Sequence, residues 1–581
     1  MKKIVSYVDN VTWERIHMTL QLVSEEPLPE DTVFYLVNEE ANAETAFEVA
    51  ERCGNHVELK LNITNNGINR CIQNGTYKLL ITDDHSFYSI AGFRGTTAML
   101  EGWGRSFRYL NNTGVYTVAF MLDEYSDVAE LQVLFYNAVM HNLGHIPAAG
   151  QKKPLSARIK ENLVAKVKRF LRKTLRSWKD RYYRSVRRHH KPGNFLLFMS
   201  EQDDKLALNM QSILERMKER GLDKQFDIHF SLRKATSGGR TIKNSIRQMK
   251  CVAKADIIIV DDHIPLFDWM ELDPSTKVIQ IWHAGAGFKG VGYSRWGHYG
   301  CPSPFSCHRQ YTYSISGSTP ISHFFSEQFG ILDEQIVATG MPRMDQFLDE
   351  KNQAETKGRL LRDYPFIKGK RVILFAPTYR GRNRMHAYYP YELIDFDRLY
   401  RLCQEKDAVV LFKMHPWVPG EVPIKPEHAD RFISMNSYPN INELFYVTDL
   451  LITDYSSSMY EYSLMRKPLL AFVYDKVQYA TSRGFHRDYD SNVPGKVCST
   501  FDELLQAIAD EDFQSEKLDA YIEHHFDHTD THNSDRVIDW LILGNLPEKY
   551  QAALEKKRTL IQAIRGKHFD YPELQSNEGM N

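Results

Sequence analysis

From residue 194 onward the chain is built of short runs rich in apolar, β-type residues, separated by stretches with helical spacing. NFLLFMS (194–200), DIHFSL (227–232), DIIIVDD (256–262) and KVIQIWH (277–283) form a first series. After a break following GMPRMDQF (340–347), a second series runs through RVILFAPTYRG (371–381), AVVLFKMHP (408–416), DLLITDYSSS (449–458) and KPLLAFVYD (467–475). Continuous apolar strands are buried on both faces, as in a parallel sheet covered by helices. Two such series predict an α/β chain with two doubly wound, Rossmann-type domains, at 194–350 and 351–545. Ligands of such domains lie beyond the carboxyl ends of the strands, so two facing each other enclose a cleft. The tail, 546–581, reads as a helical surface segment.

The region before residue 194 differs. Residues 1–148 carry short β-rich runs such as HVELKLNI (56–63) and TYKLLIT (76–82), separated by Asn-Gly-type turns at 65–67, 74–75 and 111–114. That punctuation predicts a small β-sandwich. Nothing in it reads as catalytic, and Asp83-Asp84-His85 reads as a turn.

Charge is concentrated in one place. The chain's net charge of -1 hides a segment, 151–192, with sixteen Lys or Arg against Glu161 and Asp180. That segment carries about +14 and the remainder about -15. Its apolar residues (Val164, Val167, Leu171, Leu175, Trp178, Tyr182, Val186) recur at steps of three and four, which makes 149–193 a basic amphipathic helix. Cations such as Lys168, Arg169, Arg172 and Lys173, with Trp178 on the apolar stripe, suit an anionic membrane surface. The same pattern fits a helix packed on its own protein, or a nucleic-acid arm.

Other features narrow the class. MKKIVSYVDNVTWER is followed by no apolar h-region, and no run of eighteen apolar residues occurs. Neither a secretory signal nor a membrane-spanning helix is expected, and the expected place is the cytoplasm or its membrane face. The seven cysteines include no CxxC pair and read as thiols in a reducing compartment. No HExxH or other convincing ligand set points to a metal.

The polar residues fall just after the apolar runs, where a ligand cleft belongs. IQIWH ends at His283 and leads into a loop with Gly285, Gly287, Gly290 and Gly292, a backbone that a substrate can approach closely. Histidine titrates near neutrality and can take a proton from an attacking hydroxyl. The loop matches neither the Walker pattern nor GxGxxG, which disfavours P-loop ATP and NAD chemistry. Thr378 and Arg380 mark the next strand exit. Lys413 and His415 mark another, placed to hold or protonate a phosphate. Asp454, Ser456 and Ser457 precede MYEYSLM, where free N–H groups at a helix start make an anion site; a Ser or Asp N-cap without a ligand is the plainer alternative. Glu461 lies one turn on, within reach of a ribose or on a solvated face.

At these residues the sequence resembles a known family. IQIWHAGAGFKGVGYSRWG, ATGMPRMDQF, VILFAPTYRG, LFKMHP, LLITDYSSSMYEY, KPLLAFVYD and SRGFHRDYD, in this order across roughly 200–545, are similar to CDP-glycerol glycerophosphotransferases of teichoic acid synthesis. The resemblance implies a GT-B-like pair of domains and a peripheral membrane enzyme. It implies transfer of glycerol or ribitol phosphate from a CDP-alditol to a lipid-linked teichoic acid, with release of CMP. It makes His283 and His415 the important histidines, and places the nucleotide and phosphates at Asp454, Ser456 and Ser457, with Arg380. In this reading 194–350 is the acceptor side, with Gly285, Gly287 and Lys289 in its loop, and 351–545 binds the donor. Where glycerol-phosphate members carry Trp-His-Gly followed by Thr-Pro-Leu-Lys, this chain has Trp282-His283-Ala284-Gly285-Ala286-Gly287-Phe288-Lys289. That loop, with VTWERIHM (11–18), is more similar to ribitol-phosphate polymerases. A GT-B nucleotide-sugar glycosyltransferase and a non-catalytic membrane scaffold are the rival readings. No nucleic-acid partner is expected, and homo-oligomerisation is left open. So is a magnesium carried by the donor diphosphate, which leaves little trace in a sequence.

Overall fold

The computed structural model describes residues 4–555 except 39–42, 66, 68, 83–87, 110–113, 124–129, 140–154, 234–240, 286–288, 299–300, 305 and 382–383. Asp83-Asp84-His85 and Gly287 therefore lie outside the described residues.

Residues 6–139 form two mainly antiparallel sheets. One runs in the order Glu48–Cys53, His56–Asn62, His17–Ser24, Ser6–Glu14, Gly92–Phe93. The other runs Arg105–Tyr109, Gly114–Leu122, Leu131–Val139, Gly75–Thr82, Val33–Asn38, Ala43–Ala46, with Tyr88–Ile90 paired to Gly75–Thr82. Period-two alternation, as in His17–Ser24, turns Met18, Leu20 and Leu22 inward, and both sheets share one hydrophobic core. That core is completed from far along the chain by Tyr293, Trp296 and Cys301. The Trp296 ring stacks on Phe107 with centroids 5.3 Å apart and lies 4.8 Å from Tyr116. Truncating a ring so enclosed costs about 3–5 kcal/mol.

A helix spans Leu155–Arg188. Its last turns are packed down: Tyr183 is buried and its hydroxyl accepts from Asp273 N at 2.8 Å. Arg187 is buried too, donating to the Ala255 carbonyl at 3.0 Å. Farther back, Phe170, Leu175 and Trp178 are exposed.

Two six-stranded, wholly parallel sheets follow. The first has the order Asp227–Leu232, Phe195–Ser200, Ile257–Val260, Lys277–Gln280, Tyr313–Ile315, Ile336–Val337. The second has Phe432–Ser434, Ala408–Phe412, Arg371–Phe375, Leu450–Thr453, Leu469–Phe472, Lys496–Cys498. Helices between the strands have the expected stripe. Leu208–Glu219 buries Met210, Ile213, Leu214 and Met217, and Gly221 at φ 69° follows its end. Each sheet has a point where strand order reverses. In the second it falls between Arg371–Phe375 and Leu450–Thr453, which puts Thr378 and Asp454 side by side. The chain then returns to the first half. Asp535 and Asp539 pair with Arg216 and Arg220, and one core runs through both halves.

Candidate active site

His283 stands three residues beyond Lys277–Gln280, on a turn held in an uncommon conformation. Trp282 has φ 43°, in the left-handed region, which a bulky residue adopts only where its surroundings enforce it. Two side chains enforce it here. Gln280 Oε1 accepts from Trp282 N at 2.8 Å, and Asn209 Nδ2 donates to the Trp282 carbonyl at 2.9 Å. The Trp282 ring lies 4.2 Å from that of His283.

The Asp261 carbonyl, which can only accept, lies 3.2 Å from His283 Nδ1. That assigns the imidazole proton to Nδ1 and leaves Nε2 as the basic nitrogen. Gln202 Nε2, 3.3 Å from the same Nδ1, donates one of its two N–H bonds to the Asp262 carboxylate at 2.7 Å. Solvent reaches the ring, yet protein crowds it closely. Burial is the main cause that lowers its pKa, with Asp262 and the Asp261 carbonyl opposing and Arg343 reinforcing the fall. The imidazole is thus neutral, the form that accepts a proton, at neutral pH.

The loop after His283 is tied to the second half. Gly290 N donates to the Gly484 carbonyl at 3.0 Å, and Lys289 forms a β-bridge with Phe485. Lys289 there bears on His415, whose pKa falls to about 4 through burial, then the charges of Lys289 and Lys413. His415 Nδ1 accepts from Trp417 N at 3.2 Å, so the neutral ring keeps its proton on Nε2. In that form it can donate a hydrogen bond from Nε2 and is not a ready acid. The Tyr379 ring lies 4.7 Å from it. Lys413 is buried and donates to the Asn436 carbonyl at 2.9 Å, and its charge adds to the fall in the His415 pKa.

Several expected site residues are brought together in another way than the sequence suggested. Arg380 is buried and donates to Asp475 at 2.6 and 2.9 Å and to Asp454 at 2.8 Å. Burial works against its charge, but Asp454 and Asp475 outweigh that and hold its pKa above the ordinary value. Asp454 in turn accepts from Thr378 N at 2.8 Å and from its hydroxyl at 3.1 Å. The three side chains bind one another and make a floor beneath the switch point. Ser456 and Ser457 are half-buried above it; Ser457 is the N-cap of Ser458–Ser463, a helix of six residues, without a side-chain cap bond.

Glu461 is not on a solvated face. It is buried and pairs with Arg343, whose Nη1 donates to the His283 carbonyl at 3.1 Å. Gly285 has a packing reason: a Cβ there would stand 2.4 Å from the Tyr460 ring of the second half. Lys168, Arg169 and Arg172 lie on Leu155–Arg188, and their side chains are outside the described residues. Lys173 and Trp178 are exposed on it. Sequence reading missed Gln202, Asn209, Asp262, Gln280 and Arg343. Asp262, Gln280 and Arg343 did lie inside quoted motifs, Asp262 at a strand exit. Among the described residues no group of three or more His, Cys, Asp or Glu could hold a metal ion, and no helix is long and apolar enough to cross a membrane.

Residues 181–543 match the family described as CDP-glycerol:poly(glycerophosphate) glycerophosphotransferase. A teichoic acid ribitol-phosphate polymerase, TarL of Staphylococcus aureus, is 40% identical over 351 residues, covering 60% of this chain and 62% of that protein. A teichoic acid poly(ribitol-phosphate) polymerase of Bacillus spizizenii is 38% identical over 351 residues, covering 60% of this chain and 56% of that one. The chain thus spans about three-fifths of the length of these relatives. The solved structure of the wall teichoic acid polymerase TagF is similar in fold, with a TM-score of 0.52 at 22% identity, over 68% of this chain and 100% of that one.

Proposed function

The chain belongs to the CDP-glycerol:poly(glycerophosphate) glycerophosphotransferase family, and from that premise we propose that it transfers ribitol phosphate from CDP-ribitol to the terminal hydroxyl of a lipid-linked teichoic acid, releasing CMP. The two parallel sheets support a GT-B-like pairing, with the acceptor on the His283 side and the donor at the switch point of the second sheet. The observation that carries the reading is the strap at 289–290. It fixes the His283 loop to the second half, with the Lys289 charge felt at His415, which supports a single cleft served by both histidines.

The acceptor oxygen attacks the phosphorus that bears the alditol. Its proton passes to His283 Nε2, the bond from phosphorus to the CMP oxygen breaks, and CMP leaves. Such a reaction needs positioning and charge stabilisation more than covalent help. A base of this kind supplies about 10²–10⁴ in rate. His415 Nε2–H, the Lys289 charge and the Ser456 and Ser457 hydroxyls hold the diphosphate. Arg380, Thr378 and Asp454 keep that surface in shape from below. The ribitol choice rests on the loop at 282–289 and on the relatives named above. The helix Leu155–Arg188 lies on the anionic cytoplasmic face of the membrane, where the lipid-linked acceptor is found; Phe170, Leu175 and Trp178, exposed among cations, support this.

The test is incubation with a short lipid-linked glycerol-phosphate primer and, separately, CDP-ribitol, CDP-glycerol or a nucleotide sugar. CMP release and product mass are followed. Mass steps of one ribitol phosphate are expected, lost by at least about a hundredfold in His283→Ala. Glycerol-phosphate steps would overturn the donor, and transfer only from the nucleotide sugar would overturn the reaction.

A further inference from the structure

Residues 6–139 precede the family match, which begins at 181, yet they are joined to the catalytic loop at two places. The first is apolar. The chain runs from His283 through the strap at 289–290 directly into Tyr293, Trp296 and Cys301, which sit in the core of the antiparallel sheets. The second is ionic. The hairpin of Ser6–Glu14 and His17–Ser24 turns at Arg15, whose φ is 51°. Arg15 grips the Glu327 carboxylate with two hydrogen bonds of 2.9 Å, and His17 Nε2 lies 3.2 Å from it. Glu327 belongs to the helix Ser322–Phe329 and is buried. On its other side stands His486 of the second half, with Nδ1 3.9 Å away.

His486 closes the circuit to the loop. Its Nε2 is 2.8 Å from Ser294 Oγ, and that hydroxyl donates to the Val291 carbonyl at 2.5 Å. The hydroxyl proton is thus spent, so His486 Nε2 is the donor and Nδ1 turns a lone pair toward Glu327. A buried carboxylate facing a neutral imidazole is tolerable here because Arg15 neutralises it. Next to His486, the carbonyl of Gly484 and the backbone of Phe485 hold Gly290 and Lys289.

We infer that the N-terminal antiparallel domain is a positioning element of the active site, its Arg15 turn acting through Glu327 and His486 to set residues 289–296 behind His283. The inference rests on the reading of that loop as catalytic. Arg15 touches no reacting atom; its effect falls on where Lys289 and the loop stand, and so on turnover more than on donor affinity. The groups facing His486 are Glu327, Arg15, Arg487 and His323. Burial is the main cause that holds its pKa down, to about 4, and Arg15 adds to the fall while Glu327 opposes it. Without Arg15 the imidazole takes up a proton more readily and restores part of the missing charge as pH falls.

The experiment uses the full chain with Arg15→Gln and Arg15→Lys. For Arg15→Gln, kcat with CDP-ribitol at pH 8 is expected to fall about tenfold while KM for the donor stays within about twofold. The ratio of variant to wild-type kcat rises between pH 8 and pH 6, and Arg15→Lys recovers most of the loss. Hydrogen exchange of 289–296 and 484–486 is faster in Arg15→Gln, with the sandwich strands unchanged. Unaltered kcat and exchange would overturn the inference. So would a pH-independent loss with faster exchange throughout the sandwich, which is the behaviour of a residue that matters only for stability. Should the wild type release no CMP from any CDP-alditol, the transfer reading fails, while a local exchange change still upholds the positioning.

Discussion

Asp261 lends its carbonyl to His283 while its own carboxyl is buried, with Ser200 Oγ on one oxygen at 3.1 Å and the other without a hydrogen-bond partner among the described residues. Burial pushes its pKa up to about 6. The folded state therefore holds this proton more tightly than the unfolded chain, and stability grows as pH falls through 6 toward 4. Ionising the group at pH 8 costs about 3 kcal/mol. Asp261→Asn is expected to stabilise the protein by about 1–3 kcal/mol at pH 8, with the gain shrinking as pH is lowered through 6. Denaturant unfolding at pH 8 and pH 5 measures it, and an equal effect at both would refute the account. At this scale the sequence located strand exits where a polar residue ended an apolar run, as at His283 and His415. It was silent on Gln202, Asn209 and Gln280, because these act on the Trp282–His283 turn only once the fold has brought them beside it. The partners of Arg380 were hidden for the same reason: Asp475, nearly a hundred residues on, meets this strand-exit arginine only in the folded chain.

Among the elements, the helix Leu155–Arg188 divides two readings of one stripe along its length. Tyr183, Val186 and Arg187 pack on the first parallel domain, whereas Phe170, Leu175 and Trp178 stay exposed. Periodicity gave the helix and its stripe, but not which turns are covered, since that depends on partners such as Ala255 and Asp273. Sedimentation with anionic vesicles is expected at about 50 mM salt and to fade toward about 500 mM, because screening shortens the reach of the cations. Trp178→Ala should weaken binding at both, and salt-insensitive binding would count against a membrane role. The strands Tyr313–Ile315, Ile336–Val337, Phe432–Ser434 and Lys496–Cys498 went unread. Two or three residues carry no periodicity, and their neighbours in the sheet make them strands.

For the whole molecule, the two parallel halves were legible as a pair of strand series, but not the way they are locked. Half-buried Arg343 of the first half pairs with buried Glu461 of the second and also holds the His283 carbonyl. Glu461→Gln leaves Arg343 short of its counter-charge, a defect worth about 3–5 kcal/mol when fully buried. A lower melting temperature and a kcat reduced at least about tenfold are expected, with KM for the donor unchanged within about twofold. A rise confined to KM would return Glu461 to the ribose. The Trp296 insertion bears on how the protein is made. Residues 6–139 leave the ribosome before Trp296 does, with Phe107 and Tyr116 lining a slot whose plug has yet to be translated. The two nascent sheets keep an aromatic interior unfilled until Tyr293, Trp296 and Cys301 arrive to shut it.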